Sequence, residues 1–403
     1  MSSTLTWLDY SDRDRRRALD VVDLLRESST VDELGLGLVR DAFADLLFPG
    51  TSTIQTRARY FLFVPWIYRE LERLRVPSSQ AAARARKGEI ALIEALAASG
   101  ETAGVIGIQA RKTLKRLPSN VYWNGLMSWG IRKFPGTHPQ YHQSLDGFYL
   151  SPRRSLVDDD NNPSTGTPQA NWDVNLPAAP SQFPDGATLR LRRLEAEYLR
   201  ERIIVHHRAS MLAFLVEGGQ LSEIPFPWEH PQLREFRDPF REQLAHAQRF
   251  SEGMHGAQLL YNLMLAEEVD NEELADDYRD ALSGWAVLVR EREPDFLDWD
   301  RRRFWALVVE GGSHVRPRAK DFVESWLDLA LSSGSARRIA GLPAARQLIR
   351  EREHQLKGSR ARLENQQALA LWQGESGSAQ INYRWPVAQA IVNDIIVGLQ
   401  TDA

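Results

Sequence analysis

Apolar residues recur at three- and four-residue intervals through most of the chain, the period of helices that turn one face to a core. Leu19, Val22, Leu24 and Leu25 form such a stripe behind Ser11, whose hydroxyl suits a helix cap, and this predicts a helix over 11–27. A second is predicted over 31–47, stopped by Pro49-Gly50. A third runs over 53–75 through IQTRARYFLFVPWIYRELERLR, with a kink or break at Pro65, which lacks the backbone N–H a helix interior uses. Helices over 79–98, 102–116 and 120–133 follow, the last capped by Ser119. Beyond residue 190 the same period marks 191–216, 233–265, 272–292, 301–309, 320–331, 337–372 and 385–399. Strict alternation of polar and apolar positions is scarce, so strands are expected to be few and short, at most near 148–150 and 187–191.

Between Ser151 and Thr188 the helical period disappears into SPRRSLVDDDNNPSTGTPQANWDVNLPAAPSQFPDGAT, rich in Pro, Asx, Ser and Thr. Trp172 to Leu176 and Phe183 are apolar enough to pin part of this stretch against a folded surface. The expected architecture is mainly α: an amino-terminal helical unit over 1–150, an extended Pro/Asx-rich strap over 151–190, and a carboxy-terminal helical unit over 191–403.

The composition, 403 residues with 43% apolar and 26% charged, is that of a globular chain. The absence of Cys removes disulfides, thiolate nucleophiles, zinc ribbons and iron–sulfur clusters, and points to a reducing cytoplasm. No signal-peptide pattern opens the sequence and no run of 18 uncharged apolar residues occurs, so no membrane partner is expected.

Charge changes the picture more. The net charge is −4, yet residues 51–133 hold fourteen Lys and Arg against five Glu, a local balance of +9 that leaves −13 for the remainder. Residues 267–280 carry eight acidic side chains and one Arg, while 337–363 carry eight basic against two acidic. Such segregation points to polyanion contact or to pairing between parts of the protein.

Three basic constellations follow. In the predicted helix–turn–helix of 102–133, Arg111, Lys112, Lys115 and Arg116 precede Pro118-Ser119, and Asn120, Asn124, Ser128 and Arg132 recur every four residues on the second helix. One helix on the backbone and the next in the major groove is how such a pair reads DNA, and two packed helices with a solvated basic rim is the plainer alternative. In 48–60, a hydroxyl-rich helix start followed by Arg57 and Arg59 suits an anion, because the first turn has free N–H groups and a positive dipole end. The run Arg346, Arg350, Arg352, Lys357, Arg360, Arg362 suits a counter-charge to the acidic 267–280 segment, a nucleic-acid surface or a solvated face.

Enzyme signatures are missing. His138 and His142 stand four apart without a zincin glutamate, and Asp158 to Asn162 opens like a calcium loop but places Pro163 where the tight turn needs Gly. No Walker motif, dinucleotide fingerprint, nucleophile elbow or kinase set is found. The expectation is a non-catalytic protein without cofactor or metal site. It contacts DNA through Arg57, Arg59, Arg111, Lys112, Lys115, Arg116, Asn120, Asn124 and Arg132. The alternative is an adaptor that docks other proteins through its acidic and basic faces.

The stretches TWLDYS, FPGTSTIQTRARYFLFVPW, LKRLPSNVYWNGLMSWGIR, LKGSRARL and NYRWPVAQAIVNDI together resemble an uncharacterised bacterial family catalogued as a domain of unknown function. The resemblance runs over nearly the whole chain. It implies a place in mobile phage-defence gene clusters beside helicases and methyltransferases, with other proteins of such a cluster as partners, and it carries over no site residues.

Overall fold

The computed structural model describes residues 32–150, 170–332, 334 and 336–401, and among them the chain is helical with no β-strand. α1 spans Gly37–Leu47, α2 Tyr60–Arg73, α3 Ser78–Ala98, α4 Pro118–Ser128 and α5 His138–Leu150. They are followed by α6 (Arg193–His207), α7 (Met211–Gly218), the long α8 (Asp238–Glu268), α9 (Glu272–Glu291) and α10 (Glu293–Leu297). α11 (Arg301–Glu310), α12 (Pro317–Leu331), α13 (Pro343–Lys357), α14 (Gln366–Leu369) and α15 (Trp385–Leu399) complete the order, with 3-10 turns at Arg111–Thr113 and Ala336–Gly341. The predicted helix over 11–27, the TWLDYS motif, and residues 151–169 with their Asp158–Asn162 run lie outside the described residues.

Contacts group the described chain into two units, each discontinuous in sequence. One runs from Phe43 to Leu244 and resumes at Asn382; the other holds residues 32–42 and 245–381.

The first unit is organised around α2. Every residue from Tyr60 to Tyr68 is buried, so these turns have no solvent-facing side and lie inside their unit, while Arg69, Glu70 and Arg73 of the last turns are exposed. The helix continues through Pro65 and starts at Tyr60, not near Thr53. Residues 51–59 stay outside it because side chains take their backbone groups: the Tyr122 hydroxyl accepts from the Thr56 and Arg57 N–H groups and donates to the Arg57 carbonyl. Two glycines let this loop lie on α4. A Cβ on Gly125 would stand 2.4 Å from the Gly50 carbonyl oxygen, and Gly50 itself has φ +82° with the Trp129 indole against it. Trp129 donates to the Pro49 carbonyl and stacks on Phe61 at 3.8 Å between ring centroids. Trp172 and Leu176 are buried, and Phe183 packs on the rings of Phe63 and Trp66.

Three expectations fail in this unit for local reasons. Residues 102–116 form no α-helix, since Gly104, Gly107 and Arg111 all adopt left-handed φ of +81°, +79° and +47°. Ser119 is not the cap of α4 but its second residue, and Leu117 at the cap position offers no side-chain acceptor. Residues 148–150 belong to α5, and 187–191 are irregular, with a bend at Leu189 and no strand partner among the described residues.

The second unit is built on the part of α8 from Ala245 onward, where Phe250, Met254, Leu260, Tyr261 and Leu263 are buried. Trp285 and Trp326 donate to the carbonyls of Glu252 and Gly253, and the Trp285 ring lies where a Cβ on Gly256 would stand. The predicted helix over 337–372 is broken after Lys357 by Gly358, at φ 55° and ψ −131°, a conformation open to glycine alone. That turn lets the LKGSRARL motif fold back on α13. Lys357 and Arg362 then pair with Glu33, and Lys357 also pairs with Glu353.

Candidate nucleic-acid interface

α3 buries Ala81, Ala85, Glu89, Leu92, Ile93 and Leu96, one face at helical spacing, and leaves Arg84 and Lys87 exposed. Between them Arg86 reaches across to the next segment, donating to the Lys112 carbonyl at 2.8 Å and the Leu114 carbonyl at 2.9 Å. This clamp holds residues 112–114 against α3; Arg84, Lys87, Lys112 and Lys115 are exposed and Arg116 is half-buried. Both carboxylates of α3 have partners. Glu94 is held by Arg111 at 2.9 Å, and Glu89 points inward. The two segments joined in this way carry five cations with exposed or half-exposed side chains, the side-chain chemistry that phosphates attract. Arg84 and Lys87 were visible in the sequence only as part of the local charge excess; their i, i+3 spacing was the signal that places them on one helix face.

Arg57, Arg59 and Arg132 lie elsewhere and have internal partners. Arg57 makes a two-pronged contact with Asp394, at 2.9 Å from Nε and 2.7 Å from Nη2, and the Ala58 N–H donates to the same carboxylate. Arg59 is buried against Glu195 and the Thr188 carbonyl. The anion that the start of α2 suits is therefore supplied by the chain itself. Arg132 follows the end of α4, turns inward over the Trp123 ring at 4.5 Å, and donates to the carbonyls of Trp123, Phe134 and Gly136. With 3% of its surface exposed it is out of reach of a phosphate. Asn120 and Asn124 stay exposed, one turn apart on α4, while Ser128 bonds to His207.

Beneath this surface Glu89, with none of its area exposed, accepts from the Ser119 N–H at 2.7 Å and the Ser119 hydroxyl at 2.8 Å. It thus caps α4 from a different helix, with its carboxyl at the positive end of the helix dipole. Burial pushes its pKa up to about 7 against the lowering effect of those hydrogen bonds. The Tyr68 hydroxyl lies between Glu89, to which it donates at 3.3 Å, and His138 Nε2. Burial lowers His138 to about 3 and lowers His142 as well, which keeps both rings neutral near pH 7. His138 and His142, 4.4 Å apart between centroids, pack against Tyr68.

In the other unit most of the arginine-rich run makes internal contacts, Arg360 being exposed. Arg346 pairs with Glu267 at 2.7 Å and Arg350 with Glu268 at 3.7 Å, while the buried Arg352 donates to the Leu34 carbonyl. Among the described residues no group of three or more His, Asp or Glu is arranged to hold a metal ion, and no helix is long and apolar enough to cross a membrane.

A family model described as "Family of unknown function (DUF6361)" matches residues 1–397. No curated protein and no solved structure matches the chain.

Proposed function

Since the chain belongs to the DUF6361 family, whose function is unknown, we propose from its own residues that it is a non-catalytic, DNA-binding protein whose contact surface is the cationic patch of α3 and residues 111–116. The observation that carries this reading is the Arg86 clamp, which ties the basic segment 112–116 to the helix that carries Arg84 and Lys87, while Glu94 is paired with Arg111 and Glu89 is buried. Such cations fix a protein on the phosphate backbone without reading sequence; Asn120 and Asn124 are the nearby groups with the donors and acceptors to meet a base edge. The setting we propose is the one the motif resemblance implies, a bacterial anti-phage system, with this protein engaging DNA alongside other components.

Fluorescence anisotropy with labelled double- and single-stranded DNA tests the reading. Five neutralised phosphates give a slope near −0.9 per contact on duplex, so affinity is expected to fall roughly 500-fold between about 50 and 200 mM salt. The triple reversal Lys112→Glu, Lys115→Glu, Arg116→Glu is expected to abolish binding; unchanged affinity in that variant rejects the surface. Absence of binding at either salt leaves the adaptor reading. Its support is the acidic face of α9, where Glu273 and Asp277, one turn apart, are paired with no described cation. That reading expects a complex with the product of a neighbouring gene.

A further inference from the structure

We propose that the cavity between α9, α10 and α12, closed on one side by the 3-10 turn at Ala336–Gly341, is a binding site for a small amphipathic carboxylate, of the class of medium-chain fatty acids. The cavity measures about 550 Å³, inside the roughly 300–1,000 Å³ range of small-molecule sites. It lies wholly within the second unit. Its floor is apolar: Val289, Phe296 and Leu327 line it, and each is less than 10% exposed. Leu297 stands at the edge with 75% of its surface in solvent, the kind of exposed aliphatic group a bound chain covers.

The mouth has the opposite chemistry. Arg290 on α9 and Arg337 on the 3-10 turn are exposed and line the cavity, and neither forms an ion pair with any described carboxylate. Arg301, the third arginine there, is already neutralised by Glu324 and Asp328, both at 2.7 Å. With Asp328 so engaged, Glu293 is the remaining acidic group of the lining, and the positive charge of the mouth resides on Arg290 and Arg337. A guanidinium presents paired donors in the geometry of a carboxylate. An apolar floor beneath two uncommitted guanidinium groups therefore selects a ligand with an aliphatic body and a single anionic end. A nucleotide, with several charges and a polar ring, matches neither part.

Isothermal titration of the full chain with sodium decanoate, below its micelle concentration, and with decanol tests both halves. Decanoate is expected to bind one per chain. Arg337→Gln, a change on an exposed side chain that leaves the fold intact, is expected to weaken decanoate roughly tenfold, the loss of one charge-assisted hydrogen bond, and to leave decanol binding unchanged. Leu297→Asp, equally exposed, is expected to weaken both ligands. The assignment is overturned if decanoate shows no saturable binding, if Arg337→Gln binds it as tightly as the parent protein, or if decanol binds the parent protein as tightly as decanoate does.

Discussion

Glu89→Ala is expected to destabilise the first unit by about 3–5 kcal/mol. The change opens a cavity in a site with no exposed area and leaves the Ser119 N–H and hydroxyl without their acceptor, two costs that add. Loss of the α4 cap also removes an anion from the positive end of that helix. Hydrogen exchange followed on peptides of Pro118–Ser128 reads the effect where it arises; protection equal to that of the parent protein rejects the capping role. Glu89→Gln is expected to cost far less, because an amide keeps the carbonyl acceptor and mimics the protonated acid.

The pH dependence follows with a definite sign. A carboxyl whose pKa rises on folding from its ordinary value to about 7 binds a proton more tightly in the folded state. Its contribution is fully present below the unfolded pKa and is lost as pH rises through 7. His138, lowered to about 3, works the other way and costs stability below about 6.5. Comparison of the parent protein with Glu89→Gln cancels the histidine contribution. The gap between them is expected to shift by about 2 kcal/mol against the parent protein from pH 5.5 to pH 8.

In the second unit Glu353→Ala is expected to cost a similar ~3–5 kcal/mol, the range for breaking one side of a buried ion pair. Glu353 has no exposed area and accepts from the Lys357 ammonium, the Tyr261 hydroxyl and the N–H groups of Arg362 and Leu363. Burial alone would raise its pKa, but these donors and the Lys357 charge outweigh it and hold the carboxyl below the usual range. Glu33 is held down in the same way, by Lys357, Ser376 and Arg362. Both carboxylates therefore stabilise the unit at neutral pH, and their contribution is lost as pH falls below about 4. The penalty of Glu353→Ala is expected to shrink on acidification, the reverse of the Glu89 trend. Exchange protection of α13 at pH 7 and at about pH 2.5, below the usual carboxylate range, measures it, and a penalty independent of pH removes the charge from the account.

Helical periodicity was enough to find α3, α8 and α15, because each buries one regular stripe or an apolar core segment over several turns. It was not enough at 102–116, where Gly104 and Gly107 read as tolerated interruptions; their left-handed φ is fixed by contacts, with the Arg57 stem against Gly104 and Leu114 against Gly107. The anion preference of residues 57–59 was legible in the local pattern, but its anion, Asp394, is 337 positions away and no local signal names it. The four-residue repeat Asn120, Asn124, Ser128, Arg132 describes a face only while the helix lasts. α4 ends at Ser128, so Arg132 leaves the stripe and joins the core. Arg86 lay in the charged excess as one cation among many; that its guanidinium is a fastener for residues 112 and 114 follows from tertiary geometry alone.

The pairing of Arg57 with Asp394 also sets an order of events at the ribosome. The unit that begins at Phe43 lacks its last helix until residues 382–403 have been made, and a 137-residue stretch belonging to the other unit is translated in between. At about 5–20 residues per second that is a wait of roughly 7–27 s. Through this interval the nascent chain carries the Arg57 guanidinium without its carboxylate and the apolar faces of α6 and α7 without α15. The unit of residues 32–42 and 245–381 is complete in sequence at Ile381, before the other, so it is the first whose folding can finish.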